Sequence, residues 1–548
     1  MALPFVRKLA NLDRYSLARA NAGIYFNVVV GTRLRLQSDP NSSATAPLKI
    51  PTETAQWVEL LAGPLTWLIQ KHPTLSVVVG DHLGGEPKFL RMPTVDITRI
   101  IRVTSIQHRN DITQVLEREH SLPFDLLDTQ VPLWRIIVVH VQADDTFFLL
   151  HVYLHVIGDG RSGMGLTQQL VERLNLQVQE QAQTQVKTPL STVVVAPTAP
   201  LPPPLEERVR CSPGVITLAK AFTTGLLLPA SVKKAIEPKY WGGECDATLE
   251  GPVITQMAIW YLTREETKQL IQVAKTRKTT VQSILYSASC FAMKAVYLSH
   301  LENEHEPKTS KDKIVFATPV SLRPLLSPPI SAEVQGNFVS EIMTKGIHVK
   351  LDTEFWDLTN AYRDQVVKAT STKKGVQDLL EHTGLLEYLP NHPGGWEDFV
   401  RDYTVKELHG RLATIKLSNL GKGWDQSTSA PASISKESSS PESTSASSTV
   451  VYKIEDAVFS QSSCITCSAV TLNAATANGV LSMTCVWHKQ TFKDREQVEL
   501  FMKEFKRMVL QAIEPERKEY LFRDALLSSA ITSAGANASA SSVDSCNK

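Results

Sequence analysis

From Thr146 to Val156 the chain sets Phe148, Leu150, Val152, Leu154 and Val156 in alternation with Phe147, Leu149, His151, Tyr153 and His155. This is the period-2 pattern of a strand with two different faces. One face is wholly apolar and has to be covered. The other turns from apolar to His151, Tyr153 and His155. Gly158-Asp159-Gly160 follows, and from Ser162 onward Met164, Leu166, Leu170, Val171 and Leu174 recur at helical spacing. Strand, tight turn and helix in succession demand a layered fold of sheet and helices, and they deliver an imidazole at a strand end where a substrate can reach it. Upstream, Trp134–Val141 is the expected hairpin partner, turned by Ala143-Asp144-Asp145.

A chain of 548 residues can bury a large core, in two to four domains or two lobes of one fold. Lys plus Arg number 57 and Asp plus Glu 56, so no sequence-wide field selects nucleic acid or an anionic membrane, and small-molecule chemistry is the better default. Seven cysteines, an odd and scattered set, do not make a secreted disulfide scaffold. Cys464 and Cys467 form a Cys-x-x-Cys, but the segment reads as a strand and no second pair or His cluster follows, so no metal is expected. The sequence shows no signal peptide and no run of 18 apolar residues, which implies a cytoplasmic protein. Val215–Ala230, with Leu226-Leu227-Leu228, reads as a core helix, or else as a surface touching membrane at the endoplasmic reticulum or lipid droplets.

Along the first third, Thr52–His72 has helical spacing, with Gly63-Pro64 expected to kink or interrupt it. Residues 177–207 are Gln-rich and then Pro-rich, unable to hold a helix, and read as an extended linker between a first lobe, 1–176, and a second, 208–527. The second lobe is expected to contain a helix over Thr280–Leu298 and strands at Ile314–Pro319, Gly336–Met343 and Ala413–Ser418. A hairpin of Ser463–Leu472 and Val480–His488, turned at Asn478-Gly479, follows. An amphipathic helix with Val498, Phe501, Phe505, Met508 and Val509 on one stripe closes the fold. Residues 425–449 are dominated by Ser and read as a disordered insertion, and 528–548 as a disordered tail.

Gly158-Asp159-Gly160-Arg161-Ser162-Gly163 satisfies Gly-x-Gly-x-x-Gly after a strand and before a helix. Against a dinucleotide site, Asp159 would set a carboxylate beside the pyrophosphate and no second parallel strand follows. A hydrolase elbow fails because the residue two after Ser162 is Met164. A partly buried His beside a helix-capping Asp159 is the plainest alternative.

His155, Asp159 and Gly160 also make His-x-x-x-Asp-Gly, which resembles the signature of the coenzyme A-dependent acyltransferase superfamily. Other segments fall in the same order. Leu12-Asp13-Arg14-Tyr15 and Gly23-Ile24-Tyr25-Phe26-Asn27-Val28 are similar to the opening of the fungal alcohol acetyltransferase branch. So are His72-Pro73-Thr74-Leu75, Pro123-Phe124-Asp125, Pro132-Leu133-Trp134-Arg135, Pro319-Val320-Ser321-Leu322-Arg323 and Gly336-Asn337-Phe338 to later segments. The superfamily's Asp-Phe-Gly-Trp-Gly is replaced by Asn419-Leu420-Gly421-Lys422-Gly423. Ser418-Asn419-Leu420-Gly421 instead matches the Ser-Asn-Leu-Gly of the alcohol acetyltransferase branch.

The resemblance implies an α/β (α+β) fold of two chloramphenicol acetyltransferase-like lobes, each a mixed sheet with helices, with a substrate channel between them. It implies a monomeric acyl-CoA-dependent O-acyltransferase that takes acetyl-CoA as co-substrate, with no bound cofactor, and a small-molecule alcohol as acceptor. An amine acceptor, an acyl group from a carrier protein and a catalytically inactive binding protein remain alternatives. His155 is the implied general base, since a neutral imidazole titrating near ~6.5 can take the acceptor proton. Asp159 is implied to be structural, with Arg323 as its partner. Ser418 and Asn419 are candidate oxyanion donors, and His151, Tyr153, Gly160 and Asn337 are candidate channel residues. Lys275, Arg277 and Lys278 precede a helix whose first amides favour anions, making Lys278 and Thr280 candidates for the phosphate end of CoA.

Overall fold

The computed structural model describes residues 3–37, 50–184, 190–223, 240–248, 251–298, 313–403, 410–424, 452–514 and 519–527. The insertion 425–449 and the tail 528–548 expected from the sequence lie outside the described residues.

Two large sheets carry the two lobes. The first runs, in spatial order, Tyr452–Gln461, Val28–Leu36, Thr146–Tyr153, Trp134–Val141 and Ile101–Ile106. Its neighbours are antiparallel except for the parallel last pair. The second runs Thr255–Tyr261, Val480–His488, Ser468–Ala477, Ala413–Lys422, Phe316–Ser321 and Val339–Met343. Ala413–Lys422 is its centre, parallel to both neighbours, and the outer pairs are antiparallel.

The strand Tyr452–Gln461 comes from the second half of the chain yet completes the first sheet, with Tyr452 opposite Leu36 and Gln461 opposite Val28. Arg33 and Asp456 fix this pairing by a buried 2.7 Å contact, with Arg109 3.1 Å from the same carboxylate. The next strand, Ser468–Ala477, belongs to the other sheet, so the chain must turn in between. The expected strand through Cys464 and Cys467 is therefore corrected to a turn: Cys467 N donates to Cys464 O at 3.2 Å, and the two sulfurs form a disulfide.

Both faces of Thr146–Tyr153 are buried. Phe147, Leu149 and Tyr153 join Trp57, Leu61 and Leu170 in one core, under the helices Thr54–Lys71 and Gly160–Thr184. Phe148, Leu150 and Val152 pack with Met257 and Val486 of the second sheet and with Ile112 and Leu116 of the helix Ile112–His120. A second large core joins Ile415, Leu417 and Leu472 to the helices Val281–Met293 and Arg495–Ala512, the latter through the stripe Val498, Phe501, Phe505, Met508 and Val509.

Two expectations about helices are corrected. Thr54–Lys71 runs unbroken through Pro64. Proline deprives the Leu60 carbonyl of its helical donor, and the Gln177 carboxamide replaces it, Nε2 donating to Leu60 O at 2.9 Å. Gly63 makes room, since a Cβ there would lie 2.0 Å from Gln177 Oε1. Gln177 can do this because Gly160–Thr184 extends eight residues into the stretch read as linker, glutamine being a good helix former. The rest of that stretch is docked in part: Val193–Val195 pairs with Thr94–Asp96 and Leu205 is buried. Among the described residues, no helix is long and apolar enough to cross a membrane.

Candidate active site

A cavity of about 1720 Å³ opens between the two sheets. His155 and Gly160 reach it from the first lobe, and Asn337, Ser418 and Asn419 from the second. The strand that leads to His155 ends at Tyr153, so the imidazole sits in the following turn, half-buried.

Hydrogen bonding settles the tautomer of His155. Asn337 Nδ2 is surrounded by three acceptors, Asp13 Oδ1 at 3.0 Å, His155 O at 3.0 Å and Val156 O at 3.2 Å. Only an NH₂ satisfies them, so the carboxamide oxygen is the atom 3.1 Å from His155 Nδ1. Nδ1 must then carry the hydrogen, which leaves the Nε2 lone pair bare. Burial, with a further contribution from the Arg19 charge, pushes the His155 pKa down to about 4. The ring is neutral at pH 7.

Asp159 borders the cavity, but its carboxylate is taken up by protein donors. Its Oδ2 accepts from Arg323 Nη1 at 2.5 Å and from Phe338 N at 3.0 Å, and its Oδ1 from Ser162 N at 3.0 Å. Burial raises this carboxyl, but the Arg323 guanidinium and the two backbone donors outweigh it and hold the pKa below the ordinary value. Asp159 thus caps the helix that follows and pairs across the lobes with Arg323. Arg323 Nη2 also donates to Val334 O at 3.1 Å and Gly336 O at 3.2 Å, clamping the loop that presents Asn337. That loop turns at Gly336, whose φ of +143° favours glycine. Gly160 admits the opposite wall, since a Cβ there would meet Leu420 Cδ2 at 2.8 Å.

His151 and Tyr153, expected in the channel, do not line it. Their strand face is covered by helices. His151 is stacked on Tyr153 at 4.7 Å and edge-on to Trp134, and neither ring nitrogen has a partner among the described residues. Tyr153 OH donates to Asp159 O at 2.8 Å and fills the space above Gly163, where a Cβ would approach it to 2.5 Å. Burial pushes the His151 pKa to about 3. The unfolded chain therefore takes up a proton below pH ~6.5 that the folded protein refuses, and stability falls as pH drops below that value. His151→Phe is expected to reduce the loss of stability between pH 7 and 5 by about 2 kcal/mol. Denaturant melts at the two pH values measure this.

Ser418 and Asn419 lie on the central strand of the second sheet, where Lys416, Ser418 and Leu420 alternate towards the cavity while Ile415 and Leu417 enter the core. Asn419 Oδ1 accepts from Gly421 N at 2.7 Å, which leaves its NH₂ as the remaining donor. Lys278 and Thr280 are not part of the cavity lining. Thr280 caps the helix Val281–Met293, its Oγ1 accepting from Ser283 N at 3.1 Å, and the Lys278 carbonyl accepts from Arg363 Nη1. One step further, Gln282 Nε2 lies 3.4 Å from Leu417 O, behind the Ser418 wall.

Charged lining residues that escaped the sequence reading include Arg19, Arg161, Glu341 and Lys416. Lys416 had a local signal, being two residues before Ser418 on the same strand face. Arg161 follows Gly160 directly, and burial, aided by the Arg323 charge, lowers its pKa. Among the described residues, no group of His, Cys, Asp and Glu is arranged to hold a metal ion.

Known proteins share the fold and the family. The chain is 25% identical over 334 residues to the probable alcohol acetyltransferase crmB of Aspergillus fumigatus, a match covering 58% of this chain and 63% of that protein. It superposes on TRI3 trichothecene 15-O-acetyltransferase from Fusarium sporotrichioides with a TM-score of 0.61 at 12% identity, over 93% of this chain and 94% of the other. The first condensation domain of the CDA synthetase gives a TM-score of 0.52 at 10% identity, over 94% and 98%. At such identities the two structures establish the fold alone, the two-lobed chloramphenicol acetyltransferase-like architecture. Residues 107–509 match the family described as alcohol acetyltransferase, and that match covers most of the chain, including His155, Asp159, Arg323 and the cavity strands: the chain belongs to the alcohol acetyltransferase family.

Proposed function

We propose that the protein moves an acetyl group from acetyl-CoA to the hydroxyl of an alcohol, with both substrates bound together in the inter-lobe cavity. The observation that carries this reading is the neutral His155 held with Nδ1–H on Asn337 and a bare Nε2. An alcohol is a poor nucleophile until its proton is taken as the oxygen attacks. His155 Nε2 accepts that proton, the oxygen adds to the thioester carbonyl, and the tetrahedral intermediate collapses with loss of the CoA thiolate. The proton on Nε2 then passes to the thiolate, which leaves as free CoA, and the base is restored. No covalent acyl-enzyme is needed. The Ser418 hydroxyl and the Asn419 NH₂ are the donors suited to the oxyanion.

Two expected results test the assignment. The log of kcat/KM against pH should stay level from pH 8 down to about 5 and bend near 4, because burial rather than a carboxylate partner sets the His155 pKa. A bend near the free imidazole value would contradict the burial argument. Asn337→Ala frees the ring and mixes its tautomers. A kcat loss of about tenfold, roughly the worth of one hydrogen bond, should follow with little change in KM for acetyl-CoA.

A further inference from the structure

One polar feature of the cavity has no part in that reaction. Lys416 Nζ lies 2.7 Å from Glu341 Oε2, the two side chains being 19% and 22% exposed. Both line the cavity, on strands that flank Phe316–Ser321: Lys416 is opposite Ala317 and Glu341 opposite Pro319. The pair therefore bridges over the middle strand on its cavity side. Ala317, Pro319, Val339 and Leu420 are apolar members of the same cavity lining, and Arg19 and His382, also in the lining, act on Glu341 through their charge.

Stability does not call for such a pair, because a half-buried ion pair can be replaced by apolar residues of similar volume at little cost or with a gain. Its hydrogen-bonding capacity is also mostly unused. An ammonium has three donors and a carboxylate two oxygens, and among the described residues the Nζ–Oε2 contact is the one bond either group makes. The pair as a whole is neutral. A substrate carboxylate would meet Glu341 and a substrate amine would meet Lys416, so neither gains. A neutral group that accepts from Lys416 and donates to Glu341 Oε1 satisfies both. His155 lines the same cavity as the pair.

We infer that Lys416 and Glu341 form an acceptor-recognition subsite that reads a second, unreacting hydroxyl on a largely apolar acceptor, so that the preferred substrate is a diol or polyol rather than a simple alkanol. The inference rests on the O-acetyl transfer proposed above. The test compares acetyl transfer from acetyl-CoA to octan-1-ol with transfer to octane-1,3-diol, octane-1,5-diol and octane-1,8-diol. It uses the wild-type protein, the double variant Lys416→Met/Glu341→Leu, and Glu341→Gln, which keeps the shape of the side chain. The readout is the ratio of kcat/KM, diol over alkanol. Any loss of folded protein scales both acceptors equally and cancels in that ratio.

In the wild type at least one diol should be preferred by about tenfold or more, the effect of one well-placed hydrogen bond to a charged group. The ratio should fall towards 1 in the double variant and to an intermediate value in Glu341→Gln. A wild type that prefers no diol, or a preference that survives in the double variant, overturns the subsite while leaving O-acetyl transfer in place. A wild type that acetylates none of the four alcohols overturns the transfer reading itself, and the subsite with it.

Discussion

His155→Ala is expected to give a folded protein that transfers acetyl groups about 10² to 10⁴-fold more slowly than the wild type, the usual contribution of a positioned general base. The side chain is half-buried at a cavity wall, and its hydrogen bond to Asn337 Oδ1 is not a fixture of the core. Asn337 keeps its three other bonds, to Asp13 and to the backbone of residues 155 and 156, so the loop stays in place. The thermal midpoint should accordingly move little while kcat collapses. Single-turnover assays with acetyl-CoA, run beside a melt of the same sample, check both halves. A variant with near-full transfer activity would remove His155 from the chemistry.

Asp159→Ala should fail in the opposite way. The carboxylate is buried and accepts from Arg323, Ser162 N and Phe338 N, so its removal strands a guanidinium and two amides in the interior between the lobes. Breaking one side of a buried pair costs about 3 to 5 kcal/mol, a large part of the roughly 5 to 15 kcal/mol that holds a typical domain together. The expected result is a fall in soluble yield and in the denaturation midpoint. Since Arg323 also clamps the 334–338 loop, surviving protein should show Asn337, and with it His155, misplaced. An Asp159→Ala protein as stable as the wild type but inactive would mean that Asp159 acts in the reaction.

The contrast between these two residues was partly legible in the sequence. The spacing His-x-x-x-Asp-Gly and the resemblance it carries put His155 at the substrate and Asp159 against Arg323, and in the fold the Asp159 and Arg323 side chains meet although 163 residues separate them in the chain. Local turn chemistry was also readable. Asn478 and Gly479 both adopt positive φ, 48° and 74°, in the hairpin between Ser468–Ala477 and Val480–His488. The stripe of the last helix likewise enters the core where its period places it.

What the sequence hid depends on partners distant in the chain. Nothing local to Tyr452–Gln461 says that it pairs with Val28–Leu36 rather than with its own half, because both sheets accept the same alternating strand. His151 and Tyr153 look like channel residues on a polar strand face, and only the helices packed over that face make them core. The continuity of Thr54–Lys71 through Pro64 depends on a glutamine on another helix. Glu341 becomes a cavity residue only when Val339–Met343 is set beside Phe316–Ser321.

The central claim is that a neutral His155 in the inter-lobe cavity drives acetyl transfer from acetyl-CoA to an alcohol. Its most direct test is incubation of the purified protein with acetyl-CoA and a panel of alcohols and amines, with free thiol counted and products identified by mass. The expected result is one acetyl ester formed per thiol released, and a rate lowered at least about 10²-fold in His155→Ala. Amide products in place of esters, thiol release without any ester, or equal rates in the two proteins would contradict it.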